Sequence, residues 1–259
     1  MDSDFTYYQA TVPKKAITLV VHGLNVRPDA MFPIIEWLKQ HGSDTCLVKL
    51  AGHHENSIPL QQVSFAAWES SMRKGYDYAK NIAIENKLPL VFLGYSLGAL
   101  LGQLLLSSPE KPIAFDKQIL LAPAIALRKR VNLLRFFFLF NDLRLPSFTP
   151  EAYRANKGLP VKWYKVVFKM NSNMRKGRCH KLNIPTLVFI DPKDELISYS
   201  RLAELCRRYQ LTRYELVALD SDVRTGERPY HHLIINELAM GSRNWQLMTS
   251  KMRDFIFEH

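Results

Sequence analysis

A serine stands between two glycines in the pentapeptide Gly-Tyr-Ser-Leu-Gly at residues 94–98. The apolar run before it, residues 88–93, is typical of a buried strand, and residues 99–107 fit a helix. A serine that attacks a carbonyl carbon must project from a sharp turn, and flanking glycines leave room for that turn. The helix that follows directs its first amides toward developing negative charge. The pattern therefore predicts Ser96 as a nucleophile.

A nucleophilic serine needs a base, and the base needs a carboxylate that orients it. Two adjacent histidines, His231 and His232, stand between the last predicted strand and the last predicted helix. Two aspartates, Asp191 and Asp194, follow a β-branched run at residues 186–190. Only one of two adjacent histidine side chains can face the serine. These residues therefore leave two candidates for the base and two for the acid.

With this serine motif and these candidates, the chain resembles the α/β-hydrolase superfamily, and most closely its monoacylglycerol lipase and lysophospholipase branch. The resemblance runs in order along nearly the whole chain from Ala16. In this superfamily the triad follows the chain order serine, acid, histidine. The resemblance implies Asp194 as the acid, because an apolar pair follows that turn, whereas Asp191 is the rival that could brace the turn. We expect Glu195 to face solvent or the following helix.

The resemblance also bears on the choice of base. In lysophospholipase-like sequences the catalytic histidine precedes an apolar stretch and has a glutamate five positions later. Glu237 stands five positions after His232. The resemblance therefore implies His232 as the base, with His231 as the alternative.

An ester hydrolase of this kind stabilises the oxyanion with two backbone amides. The predicted strand at residues 16–21 ends in His22-Gly23, as the equivalent strand does in the superfamily. The resemblance implies that the amides of Leu24 and Leu97 form the oxyanion hole. Water completes the reaction, so no cofactor is expected.

A second pair of histidines, His53 and His54, precedes Glu55 in a loop at residues 50–57. This loop loosely echoes a Gly-His-Gly-x-Ser loop of the superfamily. Consecutive residues do not share one helical face, as metal ligands of this type usually do. We therefore predict a loop that packs near the floor of the active site, and no metal site.

Predicted strands and helices alternate along the chain and would bring these residues together. This alternation predicts an α/β fold with a mostly parallel central sheet flanked by helices, and the resemblance makes it the α/β-hydrolase fold. Predicted strands cover residues 16–21, 45–50, 88–93, 118–123, 186–190 and 214–219. Predicted helices cover residues 28–40, 64–85, 99–107, 198–209 and about 234–257.

The composition is that of an ordinary globular protein, with 259 residues of which 47% are hydrophobic and 23% charged. No apolar run approaches the roughly 18–20 residues that span a bilayer. The acidic, polar amino terminus lacks the features of a signal peptide. Three scattered cysteines exclude a disulfide framework. We expect a cytoplasmic location.

The net charge of +11 is unevenly distributed. Residues 124–181 carry 14 basic and two acidic side chains, whereas the rest of the chain has a net charge of −1. We therefore predict a hydrolase core from residues 1–123 and 182–259, with residues 124–181 as a basic, largely helical cap insertion. Within this cap insertion, residues 131–140 and 161–170 are apolar stretches, and Lys162, Lys165 and Lys169 would share one helical face.

Apolar faces beside clustered cations suit an anionic membrane surface or an amphiphile with a negative head group. The alternative is that these faces pack on the core while the lysines are solvated. No nucleic-acid partner is expected, because no recognised binding motif accompanies the charge. Few acids in the cap insertion also argue against an aminopeptidase, which must hold a substrate ammonium group.

The function expected from these observations is hydrolysis of carboxylic esters, with an acyl chain on the substrate. A thioesterase or an acyltransferase would use the same triad. A non-catalytic lipid-binding protein is the alternative of another class, and it would be expected to lack a triad member.

Overall fold

The computed structural model describes residues 4–54, 58–141, 143–147, 149–223 and 230–258. In these ranges the strands are β1 (Phe5–Tyr8), β2 (Ala16–Val21), β3 (Ser43–Val48), β4 (Leu90–Tyr95), β5 (Lys117–Leu121), β6 (Arg144–Pro146), β7 (Gly158–Pro160), β8 (Thr186–Ile190) and β9 (Tyr214–Ala218). The α-helices are α1 (Phe32–Gln40), α2 (Phe65–Asn86), α3 (Leu97–Leu106), α4 (Val161–Lys176), α5 (Tyr199–Arg208), α6 (Glu237–Met240) and α7 (Ser242–Phe257). The first three residues of the polar amino terminus, and residues 55–57 of the histidine loop, lie outside the described residues.

A seven-stranded sheet with the order β1-β3-β2-β4-β5-β8-β9 forms the centre of the molecule. Its neighbouring strands are parallel, except that β1 pairs antiparallel with β3. Strands β2, β3 and β4 are buried along their whole length, as expected for apolar strands that are covered on both faces. The predicted α/β class with a mostly parallel sheet flanked by helices is confirmed.

The helices pack on this sheet and leave one of its edges for the site. Helix α2 packs on β2 and β3, α3 packs on β4, and α7 packs on β8. Parallel strands all end at the same edge of a sheet, where open α/β folds bind their ligands. The segments that follow β2, β4, β8 and β9 therefore meet at this edge. These segments carry the candidate site residues.

Several predicted element boundaries were wrong for identifiable reasons. The predicted final helix at 234–257 is divided, because Gly241 has a φ of 81°, which no helix accommodates. The predicted helix at 28–40 begins with a 3-10 turn at Pro28–Met31. Pro33 has no N–H group, so an α-helical ladder cannot run through it, and α1 starts beside it.

Residues 124–181 combine several kinds of structure. A 3-10 segment spans Lys129–Phe137, β6 and β7 form a small antiparallel sheet, and α4 packs against α3. The amphipathic stretch at residues 161–170 belongs to α4, whereas the apolar stretch at 131–140 is not an α-helix. The prediction that residues 124–181 are largely helical was therefore wrong, because α4 is the one α-helix described in this segment.

Candidate active site

Ser96 occupies a strained turn between β4 and α3. Its backbone has φ 51° and ψ −107°, a conformation that non-glycine residues rarely adopt and that clusters at functional sites. The turn brings α3 close to β2. A Cβ on Gly98 would lie 2.3 Å from the carbonyl oxygen of Val21, so only glycine fits there. The glycine spacing noted in the sequence thus reflects close packing around the serine.

His232 joins the serine to a buried aspartate. The Ser96 hydroxyl and Nε2 of His232 are 2.8 Å apart, and Nδ1 of His232 is 2.8 Å from Oδ2 of Asp194. Because a carboxylate only accepts hydrogen bonds, the Nδ1–H donates to Asp194 and leaves Nε2 to accept the serine proton. The structure therefore brings Ser96, His232 and Asp194 into one hydrogen-bonded chain that can activate a hydroxyl for attack.

Asp194 is held by the backbone of its own turn. Its Oδ1 accepts hydrogen bonds from the amides of Leu196 and Ile197, at 2.7 and 2.8 Å. The side chain has no solvent exposure. Because two amides hold Oδ1, Oδ2 faces the imidazole ring of His232. These amides belong to Leu196 and Ile197, the apolar pair noted in the sequence.

The rival residues, Asp191 and His231, form a pair of their own. Nδ1 of His231 lies 2.8 Å from Oδ2 of Asp191. Oδ1 of Asp191 accepts hydrogen bonds from the Lys193 amide and the Ser221 hydroxyl. Asp191 thus braces its turn, as the sequence analysis allowed.

Glu195 does not face solvent or the next helix, and that expectation was wrong. Its Oε1 accepts the His231 amide and its Oε2 accepts the His232 amide, both at 2.9 Å. No local sequence pattern signals these contacts, because they join residues that are 36 and 37 positions apart in the chain.

A cavity of about 470 Å³ opens above Ser96. Leu24 and Leu97, the residues whose amides were expected to form the oxyanion hole, line it together with Ser96 and His232. Leu97 begins α3, so its amide has no partner within the helix. The other lining side chains are mainly apolar: Val26, Ala124, Leu127, Val131, Leu133, Leu134, Leu159, Val167, Phe168, Leu196 and Ile197.

His22 holds the peptide that precedes Leu24. Its Nε2 accepts the Leu50 amide at 3.1 Å, so its Nδ1–H donates to the Gly23 carbonyl at 2.9 Å. Burial lowers the pKa of His22 well below its ordinary value, which keeps the ring neutral and this arrangement intact. Because the peptide is planar, fixing the Gly23 carbonyl also fixes the direction of the Leu24 amide.

The histidine loop packs beneath this region. The His53 ring is buried between His22 and Trp68, and burial lowers the pKa of His53 to about 4. Among the described residues, no group of three His, Cys, Asp or Glu side chains could hold a metal ion. Glu55, the acid considered with these histidines, lies outside the described residues.

The two apolar stretches of residues 124–181 have different surroundings. In α4, Trp163 is 1% exposed and stacks on Trp68 with ring centroids 4.1 Å apart. Lys165 donates to the Phe138 carbonyl at 2.9 Å. The other stretch and Leu143, which follows it, present a set of exposed apolar side chains, which we call the apolar surface: Leu133, Phe136, Phe137, Leu139, Phe140 and Leu143.

Comparison with known proteins adds a family and a set of relatives. The family model described as "Serine aminopeptidase, S33" matches residues 12–156. A "Thermostable monoacylglycerol lipase" from a Bacillus sp. is 24% identical over 229 residues, which cover 86% of this chain and 88% of that protein.

Solved structures share the fold over almost the whole chain. A monoglyceride lipase of Saccharomyces cerevisiae, in complex with a substrate analog, has a TM-score of 0.77 at 11% identity and covers 97% of this chain and 89% of that one. A monoacylglycerol lipase of Paleococcus ferrophilus has a TM-score of 0.70 at 15% identity, and the match covers 98% of this chain and 100% of that one. These likenesses identify the α/β-hydrolase fold.

Proposed function

Since the chain belongs to Hydrolase_4, the serine aminopeptidase S33 family matched above, and is a serine-type carboxylic ester hydrolase, we propose that it cleaves acyl-chain esters. Its proposed catalytic triad is Ser96, His232 and Asp194. The observation that carries this proposal is the continuous chain of 2.8 Å contacts from the Ser96 hydroxyl through His232 to Asp194. This geometry meets the requirement that a nucleophile and its base lie within hydrogen-bond reach.

The proposed reaction proceeds through an acyl-enzyme. Ser96 Oγ attacks the ester carbonyl carbon while Nε2 of His232 takes the hydroxyl proton. The tetrahedral intermediate collapses, the bond to the leaving alcohol breaks, and His232 returns the proton to the departing oxygen. Water then attacks the acyl-serine with the same assistance from His232, which releases the carboxylic acid and restores the serine hydroxyl.

The amides of Leu24 and Leu97 are proposed to stabilise the oxyanion. Support comes from the position of Leu97 at the start of α3 and from the neutral His22 ring that holds the Gly23–Leu24 peptide. Removing one donor from an oxyanion hole typically lowers kcat by about 10²–10³-fold. Both donors here are backbone groups, so no side-chain substitution removes them directly.

An acyl chain is the proposed substrate part because the cavity is mainly apolar. Its charged lining side chains are Arg130 and Glu195, and both oxygens of Glu195 already accept backbone amides. The described cavity therefore offers no uncommitted carboxylate to hold the ammonium group of an aminopeptidase substrate. This favours an ester such as a monoacylglycerol, the substrate named for the relatives.

Hydrolysis of p-nitrophenyl esters from acetate to palmitate tests this proposal. We expect an optimum at a medium or long chain, and a loss of at least about 10³-fold in kcat for Ser96→Ala. Ser250→Ala, on the exposed face of α7, is the matched control and should match wild type. Leucine p-nitroanilide should not be cleaved. Equal activity of wild type and Ser96→Ala would refute the proposal.

Residues 124–181 are proposed to form a cap over the hydrolase core of residues 1–123 and 182–259. Leu133, Leu134 and Phe168 from this segment line the cavity above Ser96, which supports this role. A substitution that narrows the cavity from the cap side, Leu134→Phe, should shift the chain-length optimum toward shorter esters.

The apolar surface is proposed to contact an anionic membrane from the cytoplasmic side. Phe136 is 77% and Leu139 89% exposed, and Lys129, Arg130 and Arg135 lie in the same segment. Apolar side chains beside cations are typical of peripheral membrane contact. Among the described residues no helix is long and apolar enough to span a bilayer.

Cosedimentation with vesicles tests this contact. Wild type should bind phosphatidylglycerol vesicles more strongly than phosphatidylcholine vesicles, and the double variant Phe136→Ser with Leu139→Ser should lose most of this binding. Leu238→Ser, at a leucine that is 78% exposed on α6, is the matched control. Equal binding by the double variant and wild type would refute the contact. Tighter binding to duplex DNA than to vesicles would favour nucleic acid instead.

A further inference from the structure

The backbone of His232 is held on both of its polar atoms. Its amide donates to Oε2 of Glu195 at 2.9 Å, and its carbonyl accepts the Tyr95 hydroxyl at 3.1 Å. The ring is held as well, because Nδ1 lies 2.8 Å from Asp194. Three anchored atoms leave Nε2 directed at the Ser96 hydroxyl. The position of the base therefore depends on groups other than Asp194.

Glu195 anchors two successive amides with one carboxylate. Its other oxygen, Oε1, accepts the His231 amide at 2.9 Å. Successive backbone N–H groups that converge in this way form a concave anion-binding site, and hydrogen bonds to an ionised acceptor are about twice as strong as neutral ones. Glu195 fills that site from within the same molecule, so it fixes the His231-His232 backbone and not merely one side chain.

Glu195 is itself fixed by residues 124–181. The backbone carbonyl of Glu195 accepts hydrogen bonds from Nε and Nη2 of Arg130, at 3.1 and 2.9 Å. Arg128 donates to the carbonyls of Asp194 and Pro192 in the same turn. The turn that carries both Asp194 and Glu195 therefore has a defined position relative to the cavity.

We propose that Glu195 is a positioning residue for the esterase reaction: its carboxylate holds the backbone of His232 so that Nε2 stays within reach of the Ser96 hydroxyl and of the leaving-group oxygen. This inference rests on the proposed function, since it assigns a role within that reaction. Glu195 acts through His232. A displacement of about 1 Å in a catalytic group can lower a rate by about 10²-fold.

Glu195→Gln tests the proposal with two esters of lauric acid, 1-monolauroylglycerol and p-nitrophenyl laurate. Glutamine keeps the size of the side chain but places an NH₂ group opposite one amide, where it cannot accept a hydrogen bond. An alkoxide leaving group needs a proton from His232, whereas p-nitrophenolate leaves without one. We expect kcat for monolauroylglycerol to fall by about 10–100-fold with little change in KM, and kcat for the p-nitrophenyl ester to fall less.

Glu204→Gln is the matched control, because it makes the same chemical change at an exposed position on α5. All rates are normalised to sites that are titrated with a fluorophosphonate. Partial unfolding alone would lower both rates equally and leave the ratio of the two kcat/KM values unchanged. A fall of at least about fivefold in the glyceryl-to-nitrophenyl ratio supports positioning. An unchanged ratio overturns it.

If Glu195→Gln yields no folded protein, Glu195→Asp provides the same test. Aspartate keeps the charge but withdraws the carboxylate by one methylene, so it cannot reach both amides in the present geometry. The ratio should again fall, and an unchanged ratio would again overturn the proposal. Absence of Ser96-dependent hydrolysis of either ester by wild type would instead be a failure of the proposed function.

Discussion

Two aspartate–histidine pairs lie side by side in this molecule, and they are bonded to different serines. Asp194–His232 and Asp191–His231 have the same Nδ1–Oδ2 distance of 2.8 Å, and both aspartates are fully buried. His232 extends its pair to the Ser96 hydroxyl, whereas Asp191 extends the other pair to the Ser221 hydroxyl. A paired carboxylate and imidazole are therefore not sufficient to assign catalysis to a pair. The contact with Ser96, the proposed nucleophile, distinguishes the first pair from the second.

The two pairs also differ in how the aspartate uses its other oxygen. Asp194 accepts two amides of its own turn, which directs Oδ2 to the ring. Asp191 accepts one amide and the Ser221 hydroxyl, which joins the turn after β8 to the segment after β9. We therefore expect the first pair to control the rate and the second to control stability.

The histidines should show the largest difference. Loss of the base in a serine triad lowers kcat by up to about 10⁶-fold, so His232→Ala should reduce kcat by at least about 10⁴-fold. His231→Ala should reduce it by less than about 10-fold, since its ring is bonded to Asp191 in the pair that does not include Ser96. Steady-state hydrolysis of a p-nitrophenyl ester measures both. Equal losses for the two variants would contradict the distinction between the pairs.

The aspartates should show the next largest difference. Asp194→Asn should lower kcat by about 10³–10⁴-fold, because asparagine favours the wrong tautomer of His232. Asp191→Asn should change kcat by less than about 10-fold but lower the free energy of unfolding by about 1–3 kcal/mol, because it weakens the buried contacts to His231 and Ser221. Activity assays and urea unfolding of both variants separate these effects. A larger loss of activity in Asp191→Asn would reverse the assignment.

Ser221→Ala should have the smallest effect. The substitution removes one hydrogen bond to the Asp191 carboxylate, and a hydrogen bond to a charged group contributes about 1.5–3 kcal/mol to stability. We expect kcat to stay within about twofold of wild type and the urea midpoint to fall accordingly. A loss of activity above about 10-fold would show that the second pair contributes to catalysis.

Strands β2, β4 and β8 could be predicted from the sequence because each is a short apolar run with β-branched residues. The serine turn was also predictable from a local pattern, since its two glycines stand where a predicted strand meets a predicted helix. Strand β1 was not predicted, because its pairing with β3 depends on a partner about 40 residues away. The division of the last helix depends on the backbone of one residue, Gly241.

Other parts of the site depend on contacts between distant segments. Nothing in the residue types distinguishes Asp191 from Asp194 as a partner for a histidine, and only the resemblance separated them. The bonds of Glu195 to the His231 and His232 amides join two loops, which no local pattern reveals.

The burial of the two apolar stretches in residues 124–181 was likewise not predictable from local sequence. Trp163 packs against Trp68, whereas Phe136 is largely exposed. Their composition is similar, so their burial depends on what the rest of the chain places beside them.

Reaction with a fluorophosphonate, followed by mass analysis of the intact chain and of its peptides, shows whether Ser96 is the activated nucleophile. A fluorophosphonate reacts with a serine only where a base activates the hydroxyl, as the Ser96–His232 contact should. We expect one adduct per chain, located on Ser96, absent in Ser96→Ala and formed far more slowly in His232→Ala than in His231→Ala. An adduct on another residue, or esterase activity that persists without an adduct on Ser96, would contradict it.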